Sequence, residues 1–461
     1  MTDSLQPPGR VLVQIASATM VSAMVLVAAL ATNQFAGAQS RHPRSARALP
    51  AGAQVIEHVI IIVQENRSTD NLFHDKKLIA EGADIASSGM NSKGQRIALE
   101  PVALSAGYDL DHSHHSFKAM YDGGKMDGAN LIPVACGKVC PPNPQFKYVK
   151  VSNVVPYFQM AEQYSFADRM FQTNQGASFP AHQFLLAGTS APTATSDLFA
   201  AEDVTGFLHA NWDMGCAGPP QVLVRMIDPT GDESLEMFPC FEHPTLTDLL
   251  DNQSLTWRYY ATAPNSIWTA PNSINHIRFG ADWGNVIRPQ TRILTDIDNR
   301  QLANVSWVTP SGQTSDHPWM NTGLGPSWVA SIVNAVGNSS YWANTAIFVT
   351  WDDWGGWYDH VAPSSIYNSY EYGFRVPLIV VSQYAKRGYI SHVNHDFGSI
   401  LKFIEELYGL PSLGYADSRA DDLSDCFNFD GTNSVFHTIA APHDAAYFLN
   451  DRTPPTEADT D

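Results

Sequence analysis

Five apolar runs, each too short for a helix and crowded with branched residues, set the tightest limit on what this chain can fold into. They are HVIIIV (58–63), LTWRYYA (255–261), ANVSWVT (303–309), TAIFVTW (345–351) and VPLIVVS (376–382). A strand with one wet face alternates apolar and polar side chains, whereas a continuous apolar run is buried on both faces. Helical spacing appears between and after the runs, in TLTDLLDN (245–252), PSWVASIVNAVGNS (326–339) and HDFGSILKFIEELYGL (395–410). The last has Asp396 at an N-cap position and Gly409 close to its end. Strands alternating with helices predict an α/β fold with a mostly parallel central sheet and helices on both faces. Sheets of that kind bind ligands at the carboxyl ends of their strands.

Two of the runs end on oxygen ligands. HVIIIV leads into Glu65 and Asn66, and TAIFVTW leads into Asp352 and Asp353, with Gly355 and Gly356 just beyond. Either pair alone is equally well read as a loop cap. Together, at matching strand ends, three carboxylates at close range cannot all stay ionised without a compensating charge. A divalent cation supplies it, and an all-oxygen shell suits a hard or borderline metal whose identity the sequence leaves open. Neighbouring residues of a regular strand point to opposite faces, so Asp352 and Asp353 both reach a metal only if the backbone leaves the sheet. The two glycines allow that departure.

Histidines form the second group. His112, His114 and His115 cluster in DLDHSHHSF, His317 follows a strand in TSDHPW, and His360 lies in WYDHVAP. Phosphoryl chemistry needs donors for the non-bridging oxygens and an acid for the leaving group, and His317 and His360 stand at the ligand edge. Ser178 follows Gly176 in a stretch that enters a helix, where a serine is ordinarily a cap. Beside a metal the same hydroxyl becomes a nucleophile. Trp351, Trp354 and Trp357 surround the aspartate pair and either pack the core or wall a cationic head group.

Charge narrows the partners. A formal net charge of −19, with no clustered Lys/Arg run, excludes a nucleic-acid-binding surface. At the N-terminus, Arg10 precedes an apolar stretch, Val11 to Ala31, and Ala36-Gly37-Ala38 has the small-x-small pattern of a cleavage site. Residues 1–38 therefore read as a signal peptide or an N-terminal membrane anchor, and either one exports the body of the protein. In an oxidising compartment Cys136 pairs with Cys140 and Cys216 with Cys240, leaving Cys426 over; free thiols are the competing reading. Residues 39–54 read as a linker, 55–441 as one catalytic domain and 442–461 as a polar, flexible tail.

The stretches EHVIIIVQENRSTDNLF, YDGGKMDG, FADRMFQTNQGASFP, TAIFVTWDDWGGWYDHVAP, YGFRVPLIVVSQYAKRGYISH and HDFGSILKFIEELYGLPSLG follow one another from about residue 55 to about residue 430. Together they resemble the bacterial phosphoesterase family of secreted phospholipases C and acid phosphatases, in the alkaline phosphatase superfamily. The resemblance implies an alkaline-phosphatase-like fold and a metal held by Glu65, Asn66, Asp352, Asp353 and Ser178. It also implies that Ser178 is the nucleophile of a phosphoenzyme, with His112, His317 and His360 lining the phosphate pocket. Thr69 stands where the family has an aromatic residue, and Phe179-Pro180-Ala181-His182 replaces its usual WPNR. These departures bear on substrate preference rather than on the chemistry.

The expected activity is hydrolysis of a small phosphoester, acid phosphatase-like, with cleavage of phosphatidylcholine-type lipids as the alternative. Sulfatase chemistry is disfavoured, because no C/S-x-P-x-R stretch occurs. A non-catalytic exported binding protein is the distant alternative.

Overall fold

The branched run His58–Gln64 forms β1, the central strand, with every residue from Val59 to Gln64 buried. The computed structural model describes residues 49–456, apart from residues 138, 206–212, 365 and 432–433. The leader or anchor expected over 1–38, most of the 39–54 linker and the last five residues lie outside the described residues.

Seven further strands join β1 in one sheet. They are β2 (Ser165–Ala167), β3 (Trp257–Tyr260), β4 (Val286–Ile287), β5 (Val305–Val308), β6 (Thr345–Trp351), β7 (Leu378–Ser382) and β8 (Tyr389–Ser391). Their order is β4-β3-β5-β1-β6-β7-β2-β8. All neighbours are parallel except β7, which runs antiparallel to both β6 and β2. A parallel return needs a crossover that spans the sheet, usually a helix. Between β6 and β7 the chain instead forms loops at the carboxyl end of β6, so β7 comes back in the opposite sense.

Helices cover both faces. They are α1 (Val155–Gln163), α2 (Ser178–Ala187), α3 (Leu246–Asn252), α4 (Gly325–Gly337) and α5 (Phe397–Tyr408). Ile61 is in register with Trp307 of β5 and Phe348 of β6, so all three side chains share a face. There Trp307 Nε1 donates to the Leu185 carbonyl of α2 (3.2 Å), and Phe348 meets Phe403 of α5 edge-on at 5.1 Å. Trp351 lies on the opposite face and meets Tyr157 of α1 at 5.0 Å. Each fully buried side chain of this size contributes roughly 2–3 kcal/mol. The cap residues of α5 behave as their types dictate: the Asp396 N–H donates to Ser399 Oγ (3.1 Å), and Gly409 ends the helix at φ 66°.

Disulfides join Cys136 to Cys140 and Cys216 to Cys240, and Cys426 is free and buried, as the spacing led us to expect. Residues 442–456, read from composition as tail, contain a helix at Ala445–Asn450 whose Phe448 packs on Trp328 of α4. Beyond that helix, the Gly312 N–H donates to the Thr456 carbonyl and Gln313 Nε2 to the Pro454 carbonyl. The apolar anchor and these hydrogen bonds together seat the segment.

Candidate active site

Strand β1 stops at Gln64, and Asn66 turns into the left-handed region at φ 59°, which asparagine tolerates better than most residues. That turn takes Glu65 and Asn66 out of strict alternation. On the neighbouring strand β6 stops at Trp351, and Gly355 and Gly356 follow at φ 61° and 71°. The two ends stay stitched together beyond the sheet. The Asp352 N–H donates to the Gln64 carbonyl (2.9 Å), the Asn66 N–H to Asp352 Oδ1 (3.0 Å) and the Arg67 N–H to the Asp353 carbonyl (3.0 Å). A Cβ on Gly355 would lie 2.2 Å from the Asn66 carbonyl oxygen. Gly355→Ala is therefore expected to cost about 2–4 kcal/mol, seen as a lowered urea midpoint, from backbone strain plus that clash.

Ser178 opens α2 and is 2% exposed; its Oγ donates to Asp353 Oδ2 at 3.1 Å. His112 lies alongside. Its Nδ1 donates to the Leu110 carbonyl (3.0 Å), which leaves Nε2 to accept from Asn66 Nδ2 (3.1 Å), 3.9 Å from Asp353 Oδ2. His317 is oriented in the same manner, with Nδ1 donating to the Pro318 carbonyl (2.7 Å) and its ring 6.2 Å from that of His112. Arg67 braces this loop by donating Nε and Nη2 to the Asp316 carbonyl at 2.9 and 2.7 Å.

Sequence reasoning missed two side chains here. His182 stands one helical turn after Ser178 on α2, with Nε2 3.5 Å from Glu65 Oε1 and 3.7 Å from Asp352 Oδ2. The i, i+4 spacing was its only signal, and within an apolar helix that spacing equally describes a core residue. Asp203 accepts the Phe179 N–H at 2.6 Å, next to the serine. It comes from the strand Phe199–Thr205, which carries no recognisable motif.

His360 goes elsewhere. Its Nδ1 bonds Asp70 Oδ2 (2.7 Å) and its Nε2 bonds Asp84 Oδ1 (3.0 Å), while Arg375 bonds Asp359 (2.8 Å) and Asp70 (3.1 Å). Both ring nitrogens are engaged in that network, so the structure does not bring His360 to Ser178. Burial opposes the charged ring, but the Asp70 hydrogen bond and charge outweigh it and push His360 up to about 9. A raised histidine stabilises the fold fully below its unfolded value of about 6.5 and loses that contribution as pH climbs through its folded value. His360→Gln is accordingly expected to cost about 1–2 kcal/mol at pH 6 and much less at pH 9.5, in urea melts at the two pH values.

The three tryptophans around the aspartate pair are fully buried: Trp351 meets Tyr157, Trp354 meets Phe374, and Arg67 lies over Trp357. They pack the core rather than wall a pocket.

The centre itself is electrostatically unbalanced. Glu65 Oε1 and Oε2, Asn66 Oδ1 and Asp352 Oδ2 are buried without a hydrogen-bond partner. Burial drives the Glu65 carboxyl well above its ordinary range, and the nearby Asp352, Asp353 and Asp203 carboxyls push the same way. Asp353 is raised to about 8 by burial and then by Asp352, with His112 opposing. Orphaned acceptors in a dry, acidic site are costly alone and are what a divalent cation requires, so the residues present fit one. A cavity of about 560 Å³ lined by Asp251, Trp257 and Arg258 opens instead at the amino ends of β3 and β5, away from this chemistry.

The sequence pattern of the Phosphoesterase family matches residues 56–411, which includes every proposed ligand. The chain belongs to that family.

This phosphoesterase is 23% identical over 446 residues to phospholipase C B of Mycobacterium tuberculosis, covering 81% of the chain and 78% of the relative. Phospholipase C A of the same organism is 24% identical over 435 residues, covering 81% and 77%. Hemolytic phospholipase C of Pseudomonas aeruginosa is 22% identical over 439 residues, covering 83% of the chain but 57% of the relative. Among solved structures, a protein of the alkaline phosphatase superfamily from Vibrio parahaemolyticus aligns at TM-score 0.35 and 11% identity, covering 81% of this chain and 72% of that one. The phosphoesterase is thus a phosphoric ester hydrolase.

Proposed function

We propose that hydrolysis proceeds through a covalent phosphoserine at Ser178, beside a divalent cation held by Glu65, Asn66, Asp352, Asp353 and Ser178. The observation that carries this reading is the 3.1 Å hydrogen bond from Ser178 Oγ to Asp353 Oδ2 at the first residue of α2. A serine buried against Asp353, a carboxyl that a bound cation would hold ionised, has its proton acceptor in place. Ser178 Oγ attacks phosphorus in line as its proton passes to Asp353, and the bond to the ester oxygen breaks. The leaving alkoxide takes a proton from water, or from Nε2 of His317 when that ring carries a second proton. Water then attacks the phosphoserine, phosphate leaves, and Ser178 regains its proton. His112 and His317 line the phosphoryl group, each ring fixed by its Nδ1 bond to a backbone carbonyl. A bound cation would neutralise charge on the phosphoryl oxygens and lower the pKa of the serine hydroxyl.

Our first reading of the substrate is a small phosphate ester, acid phosphatase-like. A nucleophile only 2% exposed suits a small ester, and the buried tryptophans offer no aromatic wall for choline. The second reading, cleavage of phosphatidylcholine-type lipids, is favoured by the relatives, which are phospholipases C. Export belongs to the proposal as well, supported by the residue 1–38 pattern and by two disulfides of the kind that persist in oxidising compartments.

A substrate panel separates the readings: p-nitrophenyl phosphate, p-nitrophenylphosphorylcholine and phosphatidylcholine, each with and without chelator. Chelator-sensitive turnover of the monoester alone supports the first reading. Preference for the choline esters supports the second. No turnover of any ester sinks both.

A further inference from the structure

We propose that His182 is a nitrogen ligand of the metal centre, completing with Glu65 and Asp352 a mixed nitrogen–oxygen site that selects a transition metal over magnesium or calcium. This deepens the proposed metal-dependent hydrolysis and rests on it for the presence of a cation.

His182 is 1% exposed, and both of its ring nitrogens lack a hydrogen-bond partner. Histidines next to acids normally settle into hydrogen bonds, as His395 and His360 of this chain do. In His395, Nδ1 bonds Asp421 (2.6 Å) and Nε2 bonds Ser391 Oγ (3.0 Å). In His360 the two nitrogens bond Asp70 and Asp84. His182 faces two carboxylates and bonds neither. Its Nε2 stands 3.5 Å from Glu65 Oε1 and 3.7 Å from Asp352 Oδ2, beyond the range of a good hydrogen bond. Those separations approach those between donors that share one cation: at about 2.0–2.2 Å from it, two neighbouring donors stand about 3.0–3.4 Å apart.

The three ligand atoms lie within 4.8 Å of one another, and Glu65 Oε1, Glu65 Oε2 and Asp352 Oδ2 are themselves unpartnered. The fold aims the ring. Ser178 and His182, at i and i+4, share the face of α2 that looks onto the carboxyl ends of β1 and β6, and helical side chains lean toward the helix N-terminus. One helix face therefore presents the hydroxyl from its first residue and the imidazole from the turn below.

The consequence is selectivity. Imidazole is a borderline donor that suits zinc, iron, copper and nickel, whereas shells of carboxylate, carbonyl and water suit magnesium, calcium and manganese. Without His182 the remaining donors are all oxygens.

The test is metal coordination read directly. Full-length protein is stripped with chelator and titrated with Zn²⁺ and with Ca²⁺ by calorimetry, beside His182→Gln. We expect zinc binding to weaken by at least tenfold in the variant while calcium binding changes less than about threefold. In parallel, Cu²⁺-loaded protein is examined by electron spin-echo spectroscopy, which detects directly bound imidazole nitrogen. The nitrogen signal should be present in the native chain, absent from His182→Gln and retained in a His317→Gln control. Unchanged zinc affinity in His182→Gln, or a nitrogen signal that survives in it, overturns the proposal. If His182→Gln fails to fold, the native chain still decides, because no nitrogen signal there overturns the proposal without any variant. The readout is coordination, so a nitrogen signal on an inert protein refutes the Ser178 reaction and leaves this inference standing. Ester turnover with no nitrogen signal does the reverse.

Discussion

Ser178→Ala is expected to lower turnover of every phosphoester by roughly six orders of magnitude, the scale seen when a covalent nucleophile is removed. Stability should change by only about 1 kcal/mol, because the substitution deletes one hydrogen bond, to Asp353 Oδ2, and leaves no cavity larger than the hydroxyl. A radiolabelled phosphate ester quenched in acid should leave label on the parent chain and none on the variant. The pairing of those two results gives the experiment its force. A loss of activity with a matching loss of stability would point to a structural role for the Ser178–Asp353 pair. Full activity in Ser178→Ala would move the nucleophile to another group and end the phosphoserine mechanism.

The second large effect is a divergence between stability and activity at Glu65. In metal-free protein both Glu65 oxygens are buried without partners and face the carboxyls of Asp352 and Asp353. Glu65→Gln replaces a carboxyl that the empty cluster forces to keep its proton, and is expected to raise the stability of the chelated protein by about 1–3 kcal/mol at neutral pH. The same change should cut turnover at least about a hundredfold, because a neutral amide holds a divalent cation far less well than a carboxylate. Added metal should raise the melting temperature of the parent much more than that of the variant, since stabilisation by a ligand grows with the logarithm of its concentration over Kd. Thermal melts of both proteins, with chelator and with excess Zn²⁺, measure all of this. If Glu65→Gln is instead less stable in chelator, the cluster is not frustrated when empty and the metal argument loses its physical basis.

Local physics carried much of this protein into its sequence. A run such as TAIFVTW has few ways to hide seven consecutive side chains except as a strand buried on both faces, and it is β6 from end to end. Asp396 and Gly409 bound α5 because a carboxylate satisfies the free N–H groups at a helix start and glycine accepts the left-handed turn at its end. Glu65, Asn66, Asp352 and Asp353 were legible for a related reason: polar residues directly after buried strands have nowhere to be except the sheet's edge.

What the sequence left undecided depends on contacts between distant segments. The three-residue strands β2 and β8 are too short to show a period, and they exist because β7 offers β2 a partner and β2 in turn offers one to β8. The sense of β7 was set by the loop that precedes it rather than by its own residues. His360 and His182 are each a histidine beside acids in the sequence of the fold, yet Arg375, Asp70 and Asp84 capture the first, while the second is left facing Glu65 and Asp352 with both nitrogens unsatisfied. A side chain's type and spacing determine which element it joins. Its role follows from which partners arrive from elsewhere to satisfy its hydrogen bonds, and only the tertiary structure decides that.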